Sequence, residues 1–298
     1  LSYSPNSYRA GVHTSFALFE FLEDLRGKLD KYCAEENYPD YHPNNYIAMG
    51  GNVWDIAHSG YLGPFLDAFN GEDATQGNDT EPNAGEGDNW NPDILSYRRA
   101  IAYHRPMSHS NFADTMSDGA LRKYVALAQL FGVSVQPPTP PQQWGEALLC
   151  QDYDPNPEDL VYKWCCPIMA RNNNLVRQYE AAGWEPITHL QSDDPDIWIE
   201  RFGDDVPSGL FFAVYNRGDS ARQADLVLNT ASLELDPTGS WAFEDVVPDP
   251  TLEPDLPHVY TACFDAGTPE IHNLDASGVV SLLLDARETR VFRLRKAD

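Results

Sequence analysis

Three carboxylates within seven residues follow a short apolar run in the first third of the chain. The segment 63–73 reads GPFLDAFNGED, in which Asp67, Glu72 and Asp73 lie around an Asn70–Gly71 turn. A carboxylate at the end of a buried strand can act as an acid, a base or a nucleophile. The competing interpretation is a solvated loop, because 46 acidic against 20 basic residues give a net charge of −26. We predict a catalytic role for at least one of Asp67 and Glu72.

Other polar side chains follow predicted strands or stand in loops. Asn52 follows a short apolar run, and His109 and Asn111 end another, where they offer both donors and acceptors to a hydroxyl-rich ligand. Trp90 stands in a polar loop, where its ring could stack on a ligand. The competing interpretation for each residue is packing or ordinary surface polarity. The adjacent Arg98–Arg99 pair is predicted to form ion pairs with local acids.

The elements that would position these residues alternate in type over the first 183 residues. Apolar spacing predicts a helix over 14–33 and short strands over 46–50 and 65–69. The next predicted elements are a helix over 94–103, a strand over 104–111, a helix over 117–131 ending at Gly132, a strand over 133–135, and a helix over 156–183 that Pro167 kinks or splits. Alternating helices and strands indicate an α/β fold.

The pattern changes after residue 183. Seven short β-type runs separated by turn residues follow, with no segment of helical period between them. The runs are 196–202, 210–215, 224–228, 241–243, 259–264, 279–284 and 289–294. Such spacing predicts an antiparallel β-sandwich of about 110 residues. We therefore expect an α/β domain over 1–183 and an all-β domain over 184–298.

Several phrases resemble glycoside hydrolases in which a (β/α)8 barrel carries a C-terminal β-sandwich. The passage 97–106, YRRAIAYHRP, is similar to a helix-to-strand passage late in such barrels. The segments 181–186, 199–203 and 214–216 look like the junction from barrel to sandwich, and 288–294 looks like the last strand. The resemblance covers most of the chain, as the second half of such an enzyme, and identifies no particular family.

The resemblance implies a partial or complete TIM-type barrel portion with an active site at the carboxyl ends of its strands. It implies hydrolysis of O-glycosidic bonds in a poly- or oligosaccharide by paired carboxylates, a role we assign to Asp67 and Glu72. The substrate-binding residues would be Asn52, Trp90, His109 and Asn111. A missing N-terminal segment or a second chain would complete the barrel. The alternative is a non-catalytic carbohydrate-binding or scaffold protein with the same architecture.

The remaining patterns mainly exclude classes of function. The negative charge is unfavourable for binding nucleic acid or an anionic membrane, and no apolar run approaches the roughly 20 residues that span a bilayer.

No phosphate-binding loop, dinucleotide fingerprint or zinc-peptidase motif is present, so we expect no cofactor. The segment 152–159 begins like a calcium loop but has Pro157 where that loop needs glycine. The five cysteines lack metal-binding spacing. Because the chain begins at Leu1, we expect either that a leader has been removed or that the sequence is a piece of a longer protein. For a protein that acts on a polysaccharide, we expect an extracellular or periplasmic location.

Overall fold

The computed structural model describes residues 21–29, 31, 50–52, 66–73, 92–111, 118–136, 167–252 and 267–297. Within these residues, helices and parallel strands come first, and antiparallel strands follow from Trp184 onward. This order confirms the predicted change from α/β to all-β structure. The division into two domains stays a prediction, because one hydrophobic core contains residues from both sides of Trp184.

Four parallel strands form a sheet in the order β1-β2-β3-β4. The strands are β1 (Gly50–Asn52), β2 (Ala68–Asp73), β3 (Met107–Asn111) and β4 (Val133–Gln136). Helix α2 (Pro92–Ala102) lies between β2 and β3 in the chain, and α3 (Asp118–Phe131) lies between β3 and β4. The order of the strands in the sheet is therefore the same as their order in the chain. In a doubly wound sheet the strand order changes direction part of the way along the chain, whereas in a (β/α)8 barrel it does not.

The strand near the acidic segment differs from its prediction. Strand β2 begins at Ala68 and continues to Asp73, so the predicted turn at Asn70–Gly71 is wrong. Asn70 pairs in register with Ser108, and Gly71 pairs with His109. The apolar pattern missed this strand because its second half contains no apolar residue to mark it.

Helix α3 supplies much of the core beside the parallel sheet. Tyr124, Val125, Ala128 and Phe131 recur at helical spacing and are all buried, as the sequence predicts. The helix ends before Gly132, which has a φ of +62°. A Cβ atom at this position would lie 2.8 Å from the Phe202 ring, so only glycine fits between the helix end and the antiparallel sheet. Helical residues 21–29 (α1) pack against the same core through their leucines.

Helix α4 (Pro167–Tyr179) and a 3-10 turn (Glu180–Ala182) end the first region. The predicted helix over 156–183 is therefore confirmed only from Pro167 onward, and residues 156–166 lie outside the described residues. Proline suits the first turn of a helix, where its missing N–H needs no partner.

Helix α4 also occupies the outer edge of strand β4. The side-chain amide of Asn173 accepts from the Val135 N–H and donates to the Val135 carbonyl, both at 2.8 Å. Asn172 donates to the Val133 carbonyl at 3.2 Å. These backbone groups are the ones that a neighbouring strand would use, so side chains take the place of a fifth strand along this edge.

The antiparallel region contains a six-stranded and a three-stranded sheet, in the orders β11-β10-β13-β8-β7-β5 and β12-β9-β6. The strands are β5 (Trp184–Glu185), β6 (Leu190–Ser192), β7 (Ile197–Phe202), β8 (Phe211–Asn216), β9 (Arg222–Leu228), β10 (Trp241–Asp245), β11 (Ile271–Asn273), β12 (Val279–Leu284) and β13 (Thr289–Lys296). Six of the seven predicted runs are strands, and the run 259–264 lies outside the described residues. The sequence missed β5, β6 and β11, which have only two or three residues and therefore no readable alternation.

Strand β8 is buried on both of its faces. Phe212 and Val214 face the core between the two antiparallel sheets. Phe211, Ala213 and Tyr215 join the core that contains α3 and the parallel sheet. The six-stranded sheet is therefore the middle layer of the molecule, between the helices and the three-stranded sheet.

Candidate functional site

Polar residues form a row across the parallel sheet. Asn52, Asn70, Ser108 and Ser134 are register partners on the four neighbouring strands. Register partners present their side chains on the same side of a sheet. The Ser108 hydroxyl donates to the Asn70 amide oxygen at 2.8 Å, and Asn70, Ser108 and Ser134 are all partly exposed. We call this side of the sheet the polar face.

The opposite side of the same sheet is apolar and packs on the helices. Phe69, Met107, Val133 and Val135 alternate with the polar row and are buried in the core that includes α3. The sheet therefore uses one face for packing and presents amide and hydroxyl groups on the other. A face of this kind can hold a ligand that is rich in hydroxyl groups.

Glu72 lies toward the carboxyl end of the polar face. It follows Asn70 by two residues on β2, so its position falls on the same side of the sheet. Its register partner on β3 is Ser110, which pairs in turn with Gln136 on β4. A second polar row, one step closer to the strand ends, thus contains a carboxylic acid residue.

Asp67 lies at the other end of β2. It precedes the first strand residue and forms an ion pair with Arg26 of α1 at 2.5 Å. Asp67 and Glu72 are five positions apart in the sequence, which corresponds to about 16 Å along an extended strand. Paired catalytic carboxylates in glycosidases lie roughly 5 to 9.5 Å apart. The structure thus separates the two residues that the sequence analysis treated as a pair.

His109 lies on the packing side of the sheet. Its ring is 1% exposed, and Nδ1 lies 2.8 Å from the Tyr124 hydroxyl of α3. Burial, and to a lesser degree the nearby positive charge of Arg98, lowers the pKa of His109 to about 3. The ring is therefore neutral at physiological pH and contacts the helix, on the face away from Asn70. Asn111 follows His109 by two residues on β3, so its position falls on the same side of the sheet. Its register partner is Asp73.

The other predicted site features lie outside the described residues. They are Trp90, the calcium-like segment 152–159 and the five cysteines. None of the helices in the described ranges is long and apolar enough to cross a lipid bilayer.

The structure corrects the prediction for Arg99. Its side chain is 1% exposed and donates to four backbone carbonyls rather than to local acids. The acceptors are Phe131 at 2.9 Å, Gly132 at 2.8 Å, Arg105 at 3.1 Å and Tyr103 at 3.2 Å. These carbonyls end helix α3 or lie just beyond α2, where the helices themselves supply no donor. Burial lowers the pKa of Arg99 to about 10, so it stays charged at neutral pH.

Two partly buried carboxylates close to Arg99 were not predicted. Burial raises the pKa of Glu180 to about 7 and that of Glu200 to about 7. The indole N–H of Trp184 donates to Glu200 at 2.6 Å. The sequence gave no signal for this cluster, because its members come from α2, the 3-10 turn and β7, which only the folded chain brings together.

One side-chain cluster among the described residues has the composition of a metal site. Asp245, Glu270 and His272 each offer one ligand atom, and these atoms lie within 4.8 Å of one another. However, Nη2 of Arg290 lies 2.5 Å from Asp245, 3.0 Å from Glu270 and 3.2 Å from His272. The Arg290 guanidinium thus supplies the positive charge in this cluster and is hydrogen-bonded to all three side chains.

No family profile matches the sequence, and no curated protein matches it significantly. Solved structures with a similar arrangement include glycoside hydrolases. An alpha-galactosidase from Saccharomyces cerevisiae, solved with raffinose, is 10% identical with a TM-score of 0.48, covering 95% of this chain and 69% of that one. A GH30 endoxylanase from Clostridium papyrosolvens C71 is 8% identical with a TM-score of 0.43, covering 98% and 63% respectively.

An alpha-amylase from Geobacillus thermoleovorans, solved with acarbose, is 11% identical with a TM-score of 0.45. The match covers 94% of this chain and 58% of the amylase. The chain thus spans 58% to 69% of the length of these three enzymes. With TM-scores below 0.5, these similarities assign neither a family nor an activity to the chain.

Proposed function

We propose that the protein binds a poly- or oligosaccharide on the polar face and hydrolyses an O-glycosidic bond there. The observation that carries the proposal is the row of Asn70, Ser108 and Ser134 side chains on one face of a parallel sheet whose strands follow one another in chain order, with Glu72 placed two residues closer to the carboxyl end. Amide and hydroxyl groups can both donate to and accept from sugar hydroxyls. In barrels wound in this way, the carboxyl ends of the strands carry the active site.

Glu72 is the residue that we assign to the chemistry. Glycoside cleavage needs one carboxyl group to protonate the leaving oxygen and a second to attack the sugar or to activate water. The position of Glu72 on the polar face suits either role. The second carboxylate then comes from a strand end or loop other than Asp67, which lies about 16 Å away along the strand. Asn52 would contribute to sugar binding, whereas His109 would support α3.

One observation favours a second candidate, a carbohydrate-binding protein without catalysis. The backbone edge of β4 is hydrogen-bonded to Asn172 and Asn173 of α4. A strand that closed a barrel on this side would have to displace those amides. The parallel sheet is in that case a four-stranded open surface, which could bind a glycan without completing a catalytic pair.

Release of reducing sugar from a panel of polysaccharides and oligosaccharides by the purified protein tests these alternatives. We expect Glu72→Gln to abolish release while the circular dichroism spectrum stays unchanged. Asp67→Asn is the matched control at the opposite end of the same strand, and we expect it to retain release. Loss of release in folded Asp67→Asn, with Glu72→Gln still active, would contradict the assignment. Glycan binding without any release would support the second candidate.

A further inference from the structure

An exposed aromatic ring lies at the end of helix α2, where the parallel and antiparallel regions meet. Tyr103 directly follows the last residue of that helix and is 45% exposed. It precedes strand β3, so it lies toward the amino end of the parallel sheet, whereas Glu72 lies toward the carboxyl end. A ligand bound at Tyr103 would therefore lie apart from the polar face, and its binding does not depend on hydrolysis there.

One face of the Tyr103 ring is already covered. The ring of His104 is stacked on it, with the centroids 3.9 Å apart and the planes 16° from parallel. His104 packs in turn on the backbone of Gly183, where an added Cβ atom would lie 2.7 Å from the imidazole. Trp184 is a perpendicular neighbour, with its centroid 6.5 Å from that of Tyr103. Since 45% of Tyr103 stays exposed beside these contacts, the face opposite His104 is open to solvent.

Hydrogen bonds to one carboxylate fix the orientation of the two stacked rings. The Tyr103 hydroxyl donates to Oε1 of Glu185 at 3.3 Å, and the same oxygen lies 2.9 Å from Nε2 of His104. The other oxygen of Glu185 lies 3.4 Å from the guanidinium of Arg201, a residue that is 6% exposed. Glu185 of β5 thus holds rings that come from the end of α2. A ring held in this way loses little freedom when a ligand stacks on it.

The charges beside the ring favour a neutral ligand. Arg201 balances the negative charge of Glu185, so this carboxylate does not attract a cation. The side chain of Asp204 is exposed and lies within hydrogen-bonding reach of Glu185. Its charge, together with the net charge of −26, is unfavourable for an anion. Hydroxyl groups of a neutral ligand can donate to the carboxylate of Asp204.

We propose that Tyr103 is a stacking platform for one pyranose ring of a neutral polysaccharide, at a site separate from the polar face. A sugar ring presents C–H groups on its faces and hydroxyl groups at its edge, so it can pack on an aromatic ring and be hydrogen-bonded at the same time. The open face of Tyr103 contacts the sugar ring, and Asp204 accepts from its hydroxyl groups. Because the rings of a polysaccharide repeat, one chain can contact this site and, where the proposed function holds, the polar face as well.

Affinity electrophoresis in native gels that contain soluble starch, galactomannan or mixed-linkage glucan tests the proposal. We expect at least one of these neutral polysaccharides to retard the unmodified protein. Tyr103→Gly removes the ring at a position whose φ is +52°, which glycine adopts without strain, so the backbone is kept. It should weaken binding about tenfold, because the stacked ring supplies most of the contact. Tyr103→Phe keeps the ring and should weaken binding by at most about threefold.

Tyr97→Ala is the matched control, because Tyr97 lies on α2 with a similar exposure of 41%. It should leave the retardation unchanged. Release of reducing sugar from short oligosaccharides separates this site from the polar face. Tyr103→Gly should not alter that release, and Glu72→Gln should not alter the retardation, so either site can fail without the other.

Three results would overturn the proposal. The first is that none of the three polysaccharides retards the unmodified protein. The second is that Tyr103→Gly migrates like the unmodified protein or that Tyr97→Ala weakens binding equally. The third comes from calorimetry with choline chloride as a cationic probe. Saturable choline binding that Tyr103→Gly abolishes would assign the ring to a cation instead of a sugar.

Discussion

Strands β2 and β8 occupy comparable central positions in their sheets but are buried in different ways. Every residue of β8 is buried, because helices cover one face and a second sheet covers the other. In β2, Phe69 is buried whereas Asn70 is partly exposed on the polar face. The antiparallel region thus uses its sheet for packing on both sides, and the parallel region keeps one side available. The glycan binding that we propose uses the sheet that is not fully covered.

The largest effect is expected where the two regions meet. Arg99→Ala removes the donors of four carbonyls, each of which costs about 1–3 kcal/mol when left buried and unbonded. We expect a melting temperature at least 10 °C lower, or loss of cooperative folding. Thermal melts followed by circular dichroism would measure this. The exposed Arg217, which lies 5.0 Å from the Trp198 ring, provides the control Arg217→Ala. Equal melting of the two variants would show that Arg99 does not hold the ends of α2 and α3 together.

The next prediction contrasts the two kinds of strand face directly. Phe212→Ala in β8 should destabilise the protein by about 3–5 kcal/mol, because it leaves a cavity between the antiparallel sheets. Ser108→Ala on the polar face should cost about 1 kcal/mol or less, since it removes one part-exposed hydrogen bond to Asn70. Urea denaturation of both variants would compare them. A cost for Ser108→Ala similar to that for Phe212→Ala would mean that the polar face is a structural element rather than a binding surface.

Asn173→Ala tests whether the parallel sheet ends at β4. The substitution frees both backbone groups of Val135 and should cost about 2 kcal/mol. It should also promote self-association, because the freed edge can pair with another chain. Size-exclusion chromatography over a range of concentrations would detect this, with Arg177→Ala on the same helix as control. A variant that elutes unchanged would indicate that other features protect this edge.

The last prediction is a dependence of stability on pH. Burial raises the pKa of Glu200 from its ordinary value of 4.5 to about 7, so the folded state holds this proton more tightly than the unfolded state. Its contribution is complete below pH 4.5 and is lost as the pH rises through about 7. Glu200→Gln should therefore flatten the decline in melting temperature between pH 4.5 and 8. A slope identical to that of the unmodified protein would show that Glu200 is ionised with an ordinary pKa.

How well each element could be predicted depended on how its residues are buried. Helix α3 and strands β8 and β12 have dense apolar patterns, and the sequence located them within two residues. The second half of β2 has no such pattern, so its residues 70–73 were interpreted as a turn and acidic loop. Because of this error, Asp67 was placed at the carboxyl end of a strand, whereas it directly precedes the amino end of β2. A polar strand that faces a ligand resembles a loop when only hydrophobicity is considered.

The candidate site was predictable by residue type but not by arrangement. Glu72 and Asn52 were identified because they are polar residues close to short apolar runs, and both lie near the carboxyl ends of parallel strands. The register that brings Asn70, Ser108 and Ser134 into one row depends on pairing between distant segments.

Strand β8 is shared by two cores, and this has a consequence for how the molecule unfolds. A fragment beginning at Trp184 would expose Phe211 and Tyr215 to water, and Thr289 would lose the buried carbonyl of Ala126, to which its hydroxyl donates at 2.6 Å. Heat should therefore melt both regions in a single calorimetric transition, and proteolysis near residue 183 should yield no stable half. A destabilising mutation in the antiparallel region would then also unfold the parallel sheet and weaken the glycan binding proposed there, without any change in the residues of the polar face.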